Sequence, residues 1–282
     1  MIEKIFIPTV NRVDNQITYN NLPLELRKKV TMVVQEWERS KYQYDCEYLV
    51  LPSEINLNDY YCLPKTRKLI YEAGKDIKYA VIDDDITFGK RNSKYWCDTS
   101  NMEKSKRKCI DSEVIEMFEL YDSWLDENDV TVCGCSHNEN PPTGTHYVNN
   151  SSLSSALWIN GSDFKDILSS LDLTSVKVAE DTCFLLSLLT RGYGNRVSQE
   201  YIFFNKSVHS KLKSTVWDEQ TYENTLKDHQ KLATMFPDIF EILYDEDGNR
   251  VSGGFRNYGK TKTYWSKAYK KSKTKSLEKF FT

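Results

Sequence analysis

Three consecutive carboxylates, Asp83, Asp84 and Asp85, follow directly on the apolar run YAVI at residues 79–82. Adjacent carboxylates repel one another and are costly at the end of a buried strand unless a cation or a shared proton compensates them. Mg²⁺ and Mn²⁺ prefer oxygen ligands, and substrate phosphates usually complete their coordination. The triplet therefore predicts a Mn²⁺ or Mg²⁺ site that bridges a nucleotide diphosphate and stabilises its charge as a glycosyl bond breaks. The alternative is an acidic turn that caps a helix or is simply solvated.

Short β-prone runs alternate along the chain with helix-like stretches. The predicted strands are 5–10, 48–51, 79–82, 130–135, 153–159 and 201–204. The predicted helices are 24–40, 64–73, 112–128, 162–171 and 181–189, with a further helical region at 221–243 that is interrupted by Pro237 and a polar loop at 90–109. This alternation predicts an α/β fold, with a mainly parallel twisted sheet flanked by helices and ligands at the carboxyl ends of the strands.

The composition of the sequence indicates the cellular compartment in which the protein is expected. No apolar run reaches the roughly 18 residues that span a bilayer, and the start MIEKIFIPTV lacks the features of a signal peptide. The seven cysteines have no paired spacing, which favours reduced thiols. Cys133 and Cys135 lack the second ligand pair of a zinc site and are expected to be buried thiols. We therefore expect a cytoplasmic protein with no membrane partner.

The C-terminal segment is a separate compositional unit. Residues 256–282 carry nine Lys or Arg and one Glu, although the whole chain has a net charge of −3. Cations neutralise phosphates and aromatic faces stack on exposed bases, so the segment is predicted to bind nucleic acid; the alternative is a solvated terminus. The candidate contacts are Arg256, Lys260, Lys262, Trp265, Lys270 and Lys271.

A strand that leads into a D-x-D-type cluster after two β-α units resembles the GT-A glycosyltransferases. The resemblance implies a GT-A-like catalytic domain at 1–205, followed by an extension at 206–282 with a helix and the basic aromatic tail. It also implies that Asp83 and Asp85 serve the metal and the ribose of the nucleotide sugar, with Asp84 sharing the role. The loop after the first strand would contact the nucleotide through Pro8, Thr9, Asn11 and Arg12.

The same resemblance assigns roles to five further side chains. Lys65 and Arg67 match positions that place basic groups near the donor, although a solvated helix face is the alternative for either. A late carboxylate at a helix start fits Glu180 and Asp181, with Asp181 the candidate general base for the acceptor hydroxyl. Capping of the helix by that Asp is an equally good interpretation. His209 matches a third metal ligand, or is a surface histidine.

The motifs IPTVNR, AVIDDDITFGKR, AEDTCF and NKSVHS together resemble the TET-associated glycosyltransferases over about residues 1–210. Those enzymes come largely from bacteriophages and are linked to glycosylation of hydroxymethylated pyrimidines in DNA, so the cytoplasm would be that of the host cell. The resemblance implies UDP-glucose as donor and hydroxymethylated DNA as acceptor, reached by local opening or base flipping.

Three other functions remain open from the sequence. A nucleotidyltransferase also uses acidic residues at a strand end and a divalent metal, but the loop NRVDNQ lacks the expected glycines. A degenerate domain could bind DNA through its basic tail without turnover. A glycosyltransferase could also act on a protein or a glycan, because fold does not determine the acceptor.

Overall fold

The computed structural model describes residues 1–91, 106–140, 143–205, 220–249, 251 and 260–278. The strands are β1 (Lys4–Pro8), β2 (Val30–Gln35), β3 (Glu47–Leu51), β4 (Lys78–Ile82), β5 (Ile86–Arg91), β6 (Lys106–Lys108), β7 (Val132–His137), β8 (Tyr147–Asn149), β9 (Ala156–Asn160), β10 (Asn195–Asn205), β11 (Phe240–Ile242) and β12 (Thr261–Thr263). The helices are α1 (Ile17–Asn21), α2 (Leu24–Arg27), α3 (Cys62–Ala73), α4 (Asp111–Trp124), α5 (Lys165–Leu168), α6 (Glu180–Leu189), α7 (Gln220–Met235) and α8 (Trp265–Glu278).

Within these described residues, ten strands form one sheet in the order β3-β2-β1-β4-β9-β7-β10-β5-β6, and β8 pairs with β10. Strands β1 to β4, β6, β7 and β10 point in one direction, while β5, β8 and β9 run against them. The predicted α/β fold with a mainly parallel sheet is therefore confirmed. The register pairs Phe6 of β1 with Val81 of β4, so the segments that follow these two strands lie side by side.

The predicted helix at 24–40 is wrong for most of its length. Only Leu24–Arg27 is α-helical; Val30–Gln35 forms β2, and Glu36–Lys41 is a 3-10 turn. Every residue of β2 is buried, because the strand lies between β1 and β3. A parallel strand that is covered on both faces has a continuous apolar sequence, and such a run cannot be distinguished from a buried helix by periodicity.

Smaller differences from the predicted elements also have tertiary causes. Strand β10 is longer than predicted because it is paired along much of its length with β7, β5 and β8. The stretch 162–171 forms a 3-10 turn and the single short helix α5. Part of the predicted loop at 90–109 pairs with β5 as β6. The basic tail, within its described part, contains β12 and α8.

Apolar layers cover both faces of the sheet. Ile5 and Ile7 of β1 point into a layer that includes Phe118 and Trp158, whereas Phe6 points into the opposite layer with Tyr71 and others. This alternation is what a central strand requires when both faces are covered.

A third apolar cluster joins the C-terminal extension to the rest of the fold. Leu232 of α7 and Phe236, just after that helix, lie in it with Leu186 and Leu189 of α6, and Ala268 of α8 is completely buried there. Helix α6 is consequently packed between the sheet layer and the C-terminal helices.

Candidate functional site

The acidic triplet forms the turn between β4 and β5, at the carboxyl end of β4. The backbone N–H of Asp83 donates to the carbonyl of Ser155 at 2.8 Å, and its carbonyl accepts a hydrogen bond from the Thr18 hydroxyl. That hydroxyl oxygen also accepts from the N–H of Ile86 at 2.8 Å. The turn is thus held from both sides by backbone contacts, which leaves the three carboxylates available for other partners.

The loop after β1 contacts the triplet directly. The Thr9 hydroxyl donates to Asp84 Oδ2 at 2.6 Å, and the Arg12 guanidinium donates to Asp84 Oδ1 at 2.7 Å. The same guanidinium lies 3.3 Å from Asp85 Oδ2. Gln16 donates to the Thr9 hydroxyl at 2.7 Å and to the carbonyl of Arg12 at 2.9 Å. Two residues predicted to bind the donor, Thr9 and Arg12, therefore lie against the predicted metal-binding carboxylates.

Burial changes the acidity of the central carboxyl of the triplet. Desolvation raises the pKa of Asp84 to about 7, with smaller upward contributions from the charges of Asp85 and Asp83. Arg12 and the Thr9 hydroxyl lower this pKa, but by less than burial raises it. Near neutral pH burial therefore favours partial protonation of Asp84, and Arg12 compensates part of the remaining negative charge of the triplet. The sequence predicted that a cation or a shared proton must offset this charge.

A second arginine lies on the other side of the triplet. Arg67 of α3 is 3% exposed and donates to Asp83 Oδ1 at 2.5 Å. Burial lowers the pKa of Arg67, but the carboxylates of Asp83 and Asp181 raise it by more, so the guanidinium stays charged. Two of its nitrogens, Nε and one terminal nitrogen, are buried without a hydrogen-bond partner among the described residues. Arg67 is therefore an internal counter-ion for the acidic residues as well as a predicted donor-binding residue.

The acidic pair at the start of α6 completes this side of the site. Burial and the nearby Asp83 raise the pKa of Asp181 to about 6, against the opposing effects of Arg67 and a hydrogen bond from the Ser155 N–H. Burial and the charge of Asp181 raise the pKa of Glu180 well above its usual value. Asp181 Oδ1 is buried and has no hydrogen-bond partner within the described part of the chain. An orphaned carboxylate oxygen of this kind is suited to receive a proton from a substrate hydroxyl.

Strained backbone surrounds these carboxylates. Asn11, Ser155 and Ala179 adopt left-handed φ values of 56°, 60° and 66°. Ala179 immediately precedes α6, and for an alanine this conformation costs about 1–2 kcal/mol. Strain of this size persists where the surrounding structure over-determines it, most often at functional sites.

The sequence did not single out Glu38, which is 1% exposed in the 3-10 turn after β2. Its Oε1 accepts the N–H of Asn11 at 2.8 Å and so fixes the loop after β1. Burial raises the pKa of Glu38, and Oε2 is buried without a partner among the described residues. The available signal was an acidic residue just after a buried strand, which the predicted helix at 24–40 concealed.

The other residues that the sequence singled out have separate positions and partners in the structure. Pro8 ends β1 and pairs in register with Val33, while Lys65 forms an ion pair with Asp59 at 2.5 Å. Cys133 and Cys135 are buried, as expected from the sequence. His209 lies outside the described residues.

The described part of the basic tail presents cations along one segment. Lys260, Lys262 and Lys270 are exposed, and the Lys262 ammonium lies 4.6 Å from the centre of the Tyr264 ring. Trp265 is partly buried against two apolar clusters, so its ring contributes to the packing of α8. Arg256 and the side chain of Lys271 lie outside the described residues.

Among the described residues, no helix is both long enough and apolar enough to cross a membrane. No curated protein matches the sequence significantly. Among solved structures, the UTP-bound UGPase from Acinetobacter baumannii is similar with 8% sequence identity and a TM-score of 0.38, over 84% of this chain and 95% of that chain. The family model described as TET-associated glycosyltransferase matches residues 3–211. This match covers well over half of the sequence, and the chain therefore belongs to the TET-associated glycosyltransferase family and is an enzyme that transfers a sugar.

Proposed function

We propose that this enzyme transfers the sugar of a nucleotide sugar, UDP-glucose, to the hydroxyl of 5-hydroxymethylpyrimidine in DNA, with Mn²⁺ or Mg²⁺ at the acidic triplet. The observation that carries the proposal is the position of the triplet between two sets of contacts. Asp84 contacts the loop after β1, and Asp83 contacts the arginine that also faces Asp181. Ligands of α/β sheets lie at the carboxyl ends of the strands, where both sets occur. The loop after β1 would hold the nucleotide, and α6 would meet the acceptor.

The triplet fits a hard divalent cation. Its candidate ligands are carboxylate oxygens, and the Asp83 side chain is 31% exposed, against 12% for Asp84 and 8% for Asp85. The described residues contain no group of three or more His, Cys, Asp or Glu side chains suited to a metal. Mg²⁺ is commonly held by one or two carboxylates together with substrate phosphates, so Asp83 and Asp85 suffice, and His209 is a further candidate ligand. When bound, such an ion neutralises the charge that develops on the diphosphate leaving group.

The acidic pair of α6 supports a division of roles. A general base works best when its pKa lies near the working pH, and a pKa of about 6 leaves Asp181 mostly ionised at pH 7. Burial and the neighbouring charge favour the protonated form of Glu180. Carboxyls whose environments separate their pKa values are suited to different tasks. We assign proton abstraction from the acceptor hydroxyl to Asp181, with inversion at the anomeric carbon as the expected outcome.

The DNA acceptor is supported by the family and by the basic extension. Members of the family are linked by name to TET enzymes, and the sequence motifs resemble enzymes that glycosylate hydroxymethylated pyrimidines. Exposed Lys260, Lys262 and Lys270 would neutralise backbone phosphates without reading sequence. Local opening of the duplex or flipping of the base would bring its hydroxyl to the anomeric carbon of the donor.

The test is sugar transfer from UDP-glucose and related donors, with Mn²⁺ or Mg²⁺ and with EDTA, to hydroxymethylated and unmodified DNA. Product is read by mass spectrometry of nucleosides and by release of UDP. Metal-dependent glucosylation confined to hydroxymethylated DNA is expected. Donor hydrolysis without transfer to DNA would still support a glycosyltransferase but would show that hydroxymethylated DNA is not its acceptor.

Variants separate this function from the alternatives. Asp83→Asn and Asp85→Asn should abolish transfer, whereas the matched control Asp76→Asn, an exposed carboxylate that pairs with Lys165, should leave it unchanged. DNA binding without turnover in the unmodified protein would indicate a binding module. Incorporation of a nucleotide in place of a sugar would indicate a nucleotidyltransferase. Transfer only to a protein or glycan would show that the acceptor is that molecule and not DNA.

A further inference from the structure

Helix α7 contributes a buried carboxylate to the interior behind α6. Asp228 is 3% exposed, and its Oδ2 accepts the backbone N–H groups of Lys177 at 3.0 Å and Val178 at 2.9 Å. The same oxygen accepts the Tyr60 hydroxyl at 3.0 Å. Removal of this carboxylate would leave two backbone N–H groups buried without their acceptor, which is costly.

The segment that Asp228 holds leads directly into the acidic pair. Val178 is followed by Ala179, whose φ is 66°, and α6 begins at Glu180. An alanine keeps a left-handed conformation only where its surroundings enforce it. Asp181 is only three residues from Val178, so the position of its carboxylate depends on the path of this segment.

Tyr60 extends the link to the helix that carries Arg67. It lies just before Cys62, where α3 begins, and the Lys177 ammonium is 4.4 Å from the centre of its ring. Asp228 therefore connects the segments that precede the N-termini of α3 and α6, the two helices that bring Arg67 and Asp181 together.

The position of Asp228 in the chain adds a second observation. It lies beyond residue 211, where the family match ends, on a helix that shares an apolar cluster with α6 through Leu232. Apolar contacts hold α7 against α6, and Val176 and Ala179 lie in or against the same cluster on either side of Lys177 and Val178. The hydrogen bonds of Asp228 fix the backbone N–H groups of these two residues.

We propose that Asp228 is a positioning residue for sugar transfer: it fixes the segment 177–179 and thereby places the Asp181 carboxylate against the acceptor hydroxyl. This proposal rests on the proposed role of Asp181 as general base. It gives the C-terminal extension a second contribution, inside the fold and separate from its exposed lysines. The chemistry itself is unchanged, because Asp228 acts through Asp181 and contacts no substrate.

The test compares Asp228→Ala and Tyr60→Phe with Lys227→Ala, an exposed neighbour on α7, in the full-length enzyme. Steady-state kcat and donor KM are measured for transfer to hydroxymethylated DNA, with thermal unfolding as the check on folding. A displacement near 1 Å costs about a hundredfold in rate, so Asp228→Ala should lower kcat by about tenfold to a hundredfold. The donor KM should change less than about threefold, because the Thr9 and Arg12 contacts are untouched. Tyr60→Phe, which removes one hydrogen bond of the three, should have a smaller effect of the same kind.

The double variant Asp228→Ala/Asp181→Asn separates positioning from general destabilisation. If Asp228 acts through Asp181, the double variant is no slower than Asp181→Asn alone. Additive losses, or a wild-type kcat in a folded Asp228→Ala, would overturn the proposal while leaving the role of Asp181 intact. If Asp181→Asn itself keeps the wild-type rate, Asp181 is not the general base. The proposed positioning role of Asp228, which acts through Asp181, is then wrong as well. Should Asp228→Ala fail to fold, Asp228→Asn, which retains one acceptor oxygen, replaces it in the cycle.

Discussion

Replacement of Arg67 by Gln should shift the acidic limb of the pH–rate profile, because Arg67 is the buried cation that lowers the pKa of Asp181. An opposite charge a few ångströms away lowers a carboxyl pKa by about 1–3 units, and its loss reverses that shift. The pKa of Asp181, about 6 in the native protein, should then rise to about 7–9. A carboxyl with pKa 6 is about nine-tenths ionised at pH 7, whereas the variant would be between about half and one-hundredth ionised.

Transfer at pH 7 should consequently fall by about twofold to a hundredfold in Arg67→Gln, and most of the loss should be recovered by pH 9. The assay is kcat for transfer to hydroxymethylated DNA between pH 5 and pH 9.5 at saturating donor. Arg67→Lys keeps the charge and should keep the limb near that of the native enzyme. Lys65 lies on the same helix but pairs with Asp59, so the control Lys65→Gln should leave the acidic limb of the pH–rate profile unchanged.

Two results would refute this reasoning. A loss in Arg67→Gln that is equal at every pH would mean that Arg67 only supports the fold, through the roughly 3–5 kcal/mol that breaking a buried ion pair costs. A native acidic limb near pH 4 would mean that the carboxyl that must be ionised has an ordinary pKa, and that the raised pKa of Asp181 does not control the rate.

Three further predictions follow from the same contacts. Asp181→Asn should lower kcat by about 10²–10⁴-fold with donor affinity retained, as measured by steady-state kinetics and calorimetric binding of UDP-glucose. EDTA should abolish transfer by the native enzyme and Mn²⁺ or Mg²⁺ should restore it, whereas Asp83→Asn should stay inactive at every metal concentration tested. Because the folded pKa of Asp84 is raised to about 7, the native protein loses stability as pH rises from about 4 to 7, where the unfolded carboxyl ionises and the folded one stays protonated. Urea unfolding should therefore show that Asp84→Asn gains about 3 kcal/mol relative to the native protein between pH 5 and pH 8.

The α/β architecture and the location of the acidic triplet could be predicted from the sequence because both have local signals. An apolar strand that runs into consecutive carboxylates is visible without tertiary information, and so is the change from β-prone to helical stretches. Glu180 and Asp181, at the start of an apolar helix, were matched to the late carboxylate that the family resemblance implies. These residues do lie around one arginine in the structure.

The partners of those residues could not be predicted in the same way. Arg67 was expected near the donor, but burial against Asp83 makes it a counter-ion of the protein itself. Glu38 was concealed because the continuous apolar run of the buried strand β2 could not be distinguished from a helix by periodicity. Asp228 contacts Val178 across 50 positions of the sequence, and only the packing of α7 on α6 brings the two together.

The packing of α7 on α6 also affects how the enzyme matures during translation. Asp228 is synthesised 50 residues after Val178, a delay of about 2.5–10 s at typical elongation rates of about 5–20 residues per second. When that interval begins, β1 to β9 and the acidic triplet are already present in the nascent chain, and β10 is added during it, but the segment before α6 still lacks the Asp228 carboxylate that holds it. Catalytic competence should thus be acquired last, when α7 packs against α6 and the sheet strands have all been synthesised.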